Sequence, residues 1–302
     1  MIDTLFRWAA RLPLSFLHRL GSALGWLAFW GSPTYRQRLR ANVAQAGLDW
    51  ASARGAVASA GRMVAELPWL WCRPHDQPLG DWVRWEGAEQ VEAVLAEGRG
   101  LLMLTPHLGC FEVIAQAYAE RWGAASPITV MFRPPRQAAL RELVAQSRNR
   151  PGLLTAPANL TGVRQMIRAL RKGGTVGLLP DQVPPQGMGV WAPFFGREGY
   201  TMTLASRLVQ QTGAAWLLFA AERLPGGRGY VIRVSTPAEP MPGSAADPCP
   251  GVDADEVTRR AATVVNRAME GLIRARPDQY LWGYHRYKQP RSVENAPADA
   301  AG

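Results

Sequence analysis

His107 and Glu112 bracket the stretch His107-Leu108-Gly109-Cys110-Phe111-Glu112, and an imidazole with a carboxylate at this spacing can act as a general-base unit. A carboxylate bonded to one ring nitrogen fixes the tautomer, leaves the other nitrogen to accept a proton, and stabilises the imidazolium that forms. Such a pair suits deprotonation of an alcohol that attacks a thioester. Each residue also has an ordinary explanation: His107 can satisfy a loop carbonyl, and Glu112 can complement the positive end of a helix. Context favours the chemistry, because the chain has only four histidines and this one stands beside Gly109 after an apolar run. A rival mechanism takes Cys110 as nucleophile with His107 and makes an acyl-enzyme, as in a thioesterase or ping-pong transferase. Against it, a buried cysteine is usually a small apolar filler.

The elements around these residues read as an α/β domain. Leu101-Leu102-Met103-Leu104, between Gly100 and Pro106, has the continuous apolar character of a buried strand. Helical stretches are expected at 51–71, 111–121, 137–147, 163–170, 203–211 and 256–274, and strands at 128–132, near Leu153, and at 175–179, 215–219 and 230–234. This alternation implies a largely buried sheet between helices. His107 then sits at the carboxyl edge of its strand, where open α/β sheets place their chemistry. Tyr280, Trp282 and Tyr284 alternate as a strand would.

The 302 residues are 47% apolar, ample for a buried core, and 34 Lys plus Arg against 24 Asp plus Glu give a formal charge of +10. That charge favours phospholipid headgroups, an acidic carrier protein or nucleic acid. Zinc spacing, an RNP-like run and a basic reading helix are all missing, which argues against nucleic acid and leaves a non-catalytic membrane-binding protein as the rival class. Neither a P-loop nor a dinucleotide fingerprint is present, so no nucleotide cofactor is expected. The three cysteines read as free thiols without metal spacing. Many of the twelve tryptophans sit near the start, and arginines lie beside Phe6, Trp8, Phe16, Trp26 and Trp30. Residues 1–34 therefore read as a helical segment lying in a membrane interface, with a tilted span or a soluble packing helix as alternatives. The main domain is expected over 35–290, and the tail 291–302, rich in Pro, Ala and Asp, is expected to be disordered.

The His107 to Glu112 stretch resembles the HX4(D/E) motif of lysophospholipid acyltransferases, and several blocks resemble the bacterial lipid A late acyltransferases of the HtrB and MsbB type. These are Arg36-Gln37-Arg38-Leu39-Arg40-Ala41-Asn42-Val43, Phe132-Arg133-Pro134, Leu179-Pro180-Asp181-Gln182, Pro193-Phe194-Phe195-Gly196, Gln279-Tyr280-Leu281-Trp282 and His285-Arg286-Tyr287-Lys288. The glycerolipid branch is less close, since its third block resembles Phe-Pro-Glu-Gly; mycobacterial phosphoinositide-mannoside acyltransferases are also similar. The resemblance implies a mixed, largely parallel sheet like that of glycerolipid acyltransferases, and a lipid A precursor as acceptor. It also implies acyl carrier protein as donor, with acyl-CoA the alternative, and a place on the cytoplasmic face of the bacterial inner membrane. It makes His107 the general base and Glu112 its partner. Arg133 would contact an anionic group, Asp181 and Gln182 would shape the site, and Phe194 and Phe195 would line the acyl channel.

Overall fold

The computed structural model describes residues 2–132 and 138–292. The chain opens with α1 (Ile2–Ala9), α2 (Leu14–Gly31), α3 (Pro33–Gln45), the short α4 (Trp50–Ala53) and α5 (Gly55–Trp71). Then β1 (Val83–Glu86), α6 (Ala88–Ala96), β2 (Leu101–Leu104), α7 (Phe111–Trp122), β3 (Ile128–Phe132), α8 (Ala138–Arg148), β4 (Leu153–Pro157), α9 (Leu160–Arg171) and β5 (Thr175–Leu178) alternate. A hairpin of β6 (Gly189–Phe194) and β7 (Arg197–Met202) precedes α10 (Leu204–Thr212), β8 (Ala215–Arg223), β9 (Tyr230–Ser235) and α11 (Ala254–Ala275).

Seven strands form one sheet in the order β1-β9-β8-β2-β5-β3-β4, and every neighbouring pair is parallel except β8 with β9. The mixed, largely parallel sheet expected above is therefore present. Strand β2 lies at its centre and is buried on both faces, as the continuous apolar run requires. Leu102 and Leu104 point into the core shared with α3, α9, α10 and α11, while Leu101 and Met103 point into the core shared with α6 and α7.

Three segments differ from the sequence reading. Between the strand expected at 175–179 and the helix expected at 203–211, where the sequence suggests no element, the structure has the β6–β7 hairpin. Its turn needs left-handed backbone at Phe195 (φ 48°) and Gly196 (φ 75°), a geometry hidden behind an aromatic residue that rarely adopts it. Residues 88–96 are helical. Residues 280–288 form a turn-rich segment instead of a strand, because their carbonyls and N–H groups bond to neighbouring loops and to Asn42. The expected disordered tail falls mostly outside the described residues.

The amino-terminal segment is two helices broken before Pro13, and no described helix is long and apolar enough to cross a membrane. Helix α2 is apolar on two faces. Leu14, Leu17, Gly21, Gly25 and Phe29 turn inward, whereas Phe16, Leu20, Leu24, Leu27 and Trp30 are exposed, as are Leu5 and Trp8 of α1. The inward face meets α5 backbone to backbone: a methyl group on Gly61 would stand 1.9 Å from the Gly21 carbonyl oxygen. Only glycine permits that approach. Gly61→Ala should therefore lower folding stability by about 1–3 kcal/mol through overpacking. Gly271→Ala, on a face of α11 with nothing within 4 Å, should be neutral or stabilise by about 0.5–1 kcal/mol. Thermal or urea unfolding of the two variants checks this, and equal midpoints would contradict the close packing.

Candidate active site

Strands β2 and β5 pair in register from Leu101 opposite Thr175 to Leu104 opposite Leu178, so the loops leaving their carboxyl ends emerge side by side. One carries His107 and the other Asp181. Asp181 is buried and accepts a bond from the His107 backbone N–H through Oδ2 at 3.0 Å, while its Oδ1 stands 2.7 Å from His107 Nδ1. Burial alone would raise this carboxyl's pKa, but the His107 ring and N–H outweigh it and hold the group below the ordinary aspartate range. An ionised acceptor at Nδ1 makes that nitrogen the N–H of the ring, which leaves Nε2 with its lone pair. The edge of the imidazole is flanked by Phe111, with ring centres 4.8 Å apart.

The carboxylate that meets His107 is thus Asp181, and the expected contact with Glu112 is not made. Glu112 lies in the first turn of α7, and both its oxygens accept from Arg148 Nη2, at 3.2 and 3.3 Å. Arg148 ends α8 and lays its guanidinium over Phe132. The first helical turn points Glu112 toward α8, while Asp181 reaches His107 from the adjacent strand end. The apolar strand before Asp181 was visible in the sequence; the adjacency of β5 to β2 was not. Arg148 carried no signal beyond its place in a helical stretch.

The loop is fixed from behind. Gly109 has a positive φ of 57°, and a side chain there would drive a methyl carbon to 1.8 Å from the Ala221 carbonyl oxygen. Its N–H donates to the Gln279 carbonyl at 3.0 Å, the Cys110 N–H donates to Ala221 at 2.9 Å, and the His107 carbonyl accepts from the Leu281 N–H at 3.1 Å. The Gln279 side chain pairs with both backbone groups of Arg223. Arg223 in turn is buried against Glu66 and Ser59, and Glu66 also binds His18 of α2 and the Tyr230 hydroxyl. Sequence reasoning quoted Gln279 without a role and missed Glu66 and Arg223. Nothing local marks residues 157 positions apart as partners.

Cys110 is 1% exposed, and burial, followed by the nearby Glu66 charge, pushes its thiol well above the ordinary range. A thiolate nucleophile is disfavoured there. Gln182 is half-buried next to Asp181. Phe194 and Phe195 sit at the tip of the hairpin inside the main core, packed against Arg286 and Trp282. Arg133 lies outside the described residues. Arg286, in the last of the family-like blocks, is buried and clamps the hairpin through Tyr200 and Thr201.

Residues 3–289 match the family described as bacterial lipid A biosynthesis acyltransferases. The chain is 26% identical to the lipid A biosynthesis lauroyltransferase of Escherichia coli (strain K12), over 94% of this chain and 89% of that protein. It is 25% identical to the palmitoleoyltransferase of the same organism, over 95% and 89%. A lipid A biosynthesis acyltransferase of Haemophilus influenzae is 22% identical over 65% of this chain and 56% of its own length.

The buried Glu66 carboxylate should make stability depend on pH in acid. Burial opposes its ionisation, but Arg223 and His18 overcome that cost and hold its pKa at about 2, against 4.5 for an ordinary glutamate. A depressed folded pKa contributes stability that is full above the ordinary value and is lost as pH falls through 4.5 toward about 2. Glu66→Gln should be markedly less stable than the parent at pH 7. The gap should narrow as both are titrated from pH 6 to pH 3, followed by urea unfolding. A gap of constant size would remove Glu66 from the acid transition.

Proposed function

The chain belongs to the bacterial lipid A biosynthesis acyltransferase family, and from that premise we propose that it moves a fatty acyl group from a thioester to a hydroxyl of a lipid A precursor. The observation that carries the reading is the bond between His107 Nδ1 and the buried Asp181 carboxylate at the end of two adjacent parallel strands. His107 Nε2 accepts the proton of the acceptor hydroxyl as its oxygen attacks the thioester carbonyl. The tetrahedral adduct then expels the sulfur, which takes the proton back from the imidazolium and leaves as a thiol. Asp181 holds the ring orientation and stabilises the imidazolium. No covalent enzyme intermediate is required, which accords with the buried, protonated Cys110.

Glu112 retains a place at the site through Arg148. A carboxylate at the head of α7 orients that guanidinium beside Phe132, where it would meet an anionic or carbonyl oxygen of a substrate; Arg133 keeps the anion-contacting role that the family resemblance implies. Gln182 would border the same opening, and Phe194 and Phe195 would back the acyl channel from within the core. The donor is taken to be acyl carrier protein, with acyl-CoA as the other thioester that fits. The exposed apolar face of α1 and α2, in a segment that also exposes Arg7, Arg11 and Arg19, suits the headgroup boundary of a bilayer, at the cytoplasmic face of the inner membrane.

Purified His107→Ala and Asp181→Asn should each lose about 100- to 10,000-fold in turnover while remaining folded, as expected for a general base and its orienting partner. Glu112→Gln and Arg148→Gln should each lose activity, and the double variant should be no worse than the poorer single one, because the two act as a pair. Multiplying losses would separate them, and full activity of Asp181→Asn would remove Asp181 from the mechanism. Cells lacking the gene should accumulate lipid A short by one acyl chain by mass spectrometry. Normal lipid A there, with a different lysolipid rising, would change the acceptor and leave the chemistry standing.

The apolar face gives a separate expectation. Leu24→Glu/Leu27→Glu, on the outer side of α2, should reduce flotation with vesicles containing anionic phospholipid and leave the unfolding midpoint close to the parent's. Unchanged flotation would put the lipid contact elsewhere.

A further inference from the structure

The segment that fixes the back of the His107 loop continues outward into a group of positive charges that the mechanism does not use. After Leu281 bonds to His107, Tyr284 places its hydroxyl on the Val183 N–H at 3.0 Å, two residues beyond Asp181. Helix α3 joins the same segment: the Asn42 side chain donates to the Trp282 and Tyr284 carbonyls at 2.7 and 2.8 Å. Arg38 lies one helical turn before Asn42, on the face that meets this segment. His285 follows Tyr284, the Lys288 ammonium sits 4.8 Å from the Tyr284 ring centre, and the Arg197 guanidinium sits 4.7 Å from that of Tyr287. Three separate elements thus deliver cationic groups to one place.

We propose that Arg38, Arg197, His285 and Lys288 form a subsite for a phosphate group carried by a substrate, beside the acyl-transfer centre. The inference rests on the acyl-transfer reading for which substrate is meant, but not for the anion itself. Among the described residues, none of these four side chains pairs with a carboxylate; neighbouring Glu198 is engaged by Arg259. Collected like charges repel one another, and an anion would offset that cost. The two tyrosine rings hold the long side chains in place through cation–π contact, which reduces the entropy an anion must remove. His285 lies within the field of this cluster: some burial, then Arg38, Lys288 and Arg197, hold its pKa below the ordinary histidine range. Phosphate can arrive from either side of the reaction, on the pantetheine arm of a thioester donor or on the headgroup of a glycolipid acceptor.

The experiment uses the full chain and Arg38→Gln/Lys288→Gln, neither residue belonging to the His107–Asp181 machinery, with matched unfolding midpoints as the control for folding. Titrating inorganic phosphate while following His285 by NMR should raise its pKa in the parent, since a bound anion favours the imidazolium. The rise should be much smaller in the double variant. In kinetics the variant should show a KM about tenfold higher for one substrate with kcat within about twofold, the size expected for lost charge-assisted bonds. A raised KM for the acyl thioester assigns the phosphate to the donor, and a raised KM for a phosphorylated acceptor, absent with its dephosphorylated form, assigns it to the lipid. An identical His285 response in parent and variant, or unchanged KM for both substrates, overturns the subsite. Should the parent transfer no acyl group at all, the proposed function falls, and the His285 titration still decides the anion site.

Discussion

Glu66 and Arg223 are almost fully buried, and each is held by the other: the Glu66 oxygens accept from Arg223 Nε and Nη2, from His18 Nε2 and from the Tyr230 hydroxyl. An isolated charge of either kind would be costly at this depth, so the pair exists only where both chains of contact close at once. Those contacts come from α2, α5 and the adjacent strands β8 and β9, and this obliges amino-terminal helices and late strands to meet at one point. Through Gln279, whose side chain bonds both backbone groups of Arg223 and whose own carbonyl takes the Gly109 N–H, the same point sets the loop that carries His107. A buried pair of this kind adds little net stability over an apolar replacement, but it tolerates few alternative arrangements. Its value here lies in placing an amino-terminal helix and the His107 loop in one fixed relation.

From the other side the loop is set by the sheet. Parallel pairing of β2 with β5 brings two carboxyl ends together, and Asp181 holds both the backbone and the ring of His107. A single carboxylate satisfying two donors of one residue determines the loop position and the imidazole rotation at once, so Nε2 has a defined direction. Gly109 is the third constraint. Its left-handed backbone lets the loop press against Ala221, where any side chain would collide.

Much of this was legible in the order of residues. The apolar run 101–104 and its successors gave the sheet, because a strand buried on both faces must be apolar throughout. His107 stood out as a candidate by residue type and place, since an imidazole at a strand's carboxyl end has few structural duties. The contact with Asp181 was not foreseen, for a physical reason: four intervening residues make Glu112 a neighbour in sequence, whereas proximity to Asp181 is created by strand order. Strand order is a property of the whole sheet. Phe195 concealed the hairpin because its backbone adopts a conformation usually left to glycine. Glu66 looked like an ordinary charged residue in a helix and Arg223 fell beyond the strand expected at 215–219, and only burial distinguishes them.

Helix α2 presents a further asymmetry with a physical consequence. A soluble surface helix carries one apolar stripe, and a helix apolar all round is normally buried all round. In α2 the inner stripe closes on α5 through glycine contacts, with His18 tied to Glu66, while Phe16, Leu20, Leu24, Leu27 and Trp30 face outward. Water is a poor solvent for that outer stripe, at about 25 cal/mol for each Å² of apolar surface left exposed, and a contiguous stripe of large side chains is more than a monomer usually leaves open. The inner contacts are too close to admit rotation of the helix, because turning it would push side chains into the Gly21 and Gly61 backbones. The outer face is therefore held outward by the same packing that fixes His18, and an apolar medium covering it would rest on an element wired, through Glu66, Arg223 and Gln279, to the loop that carries His107.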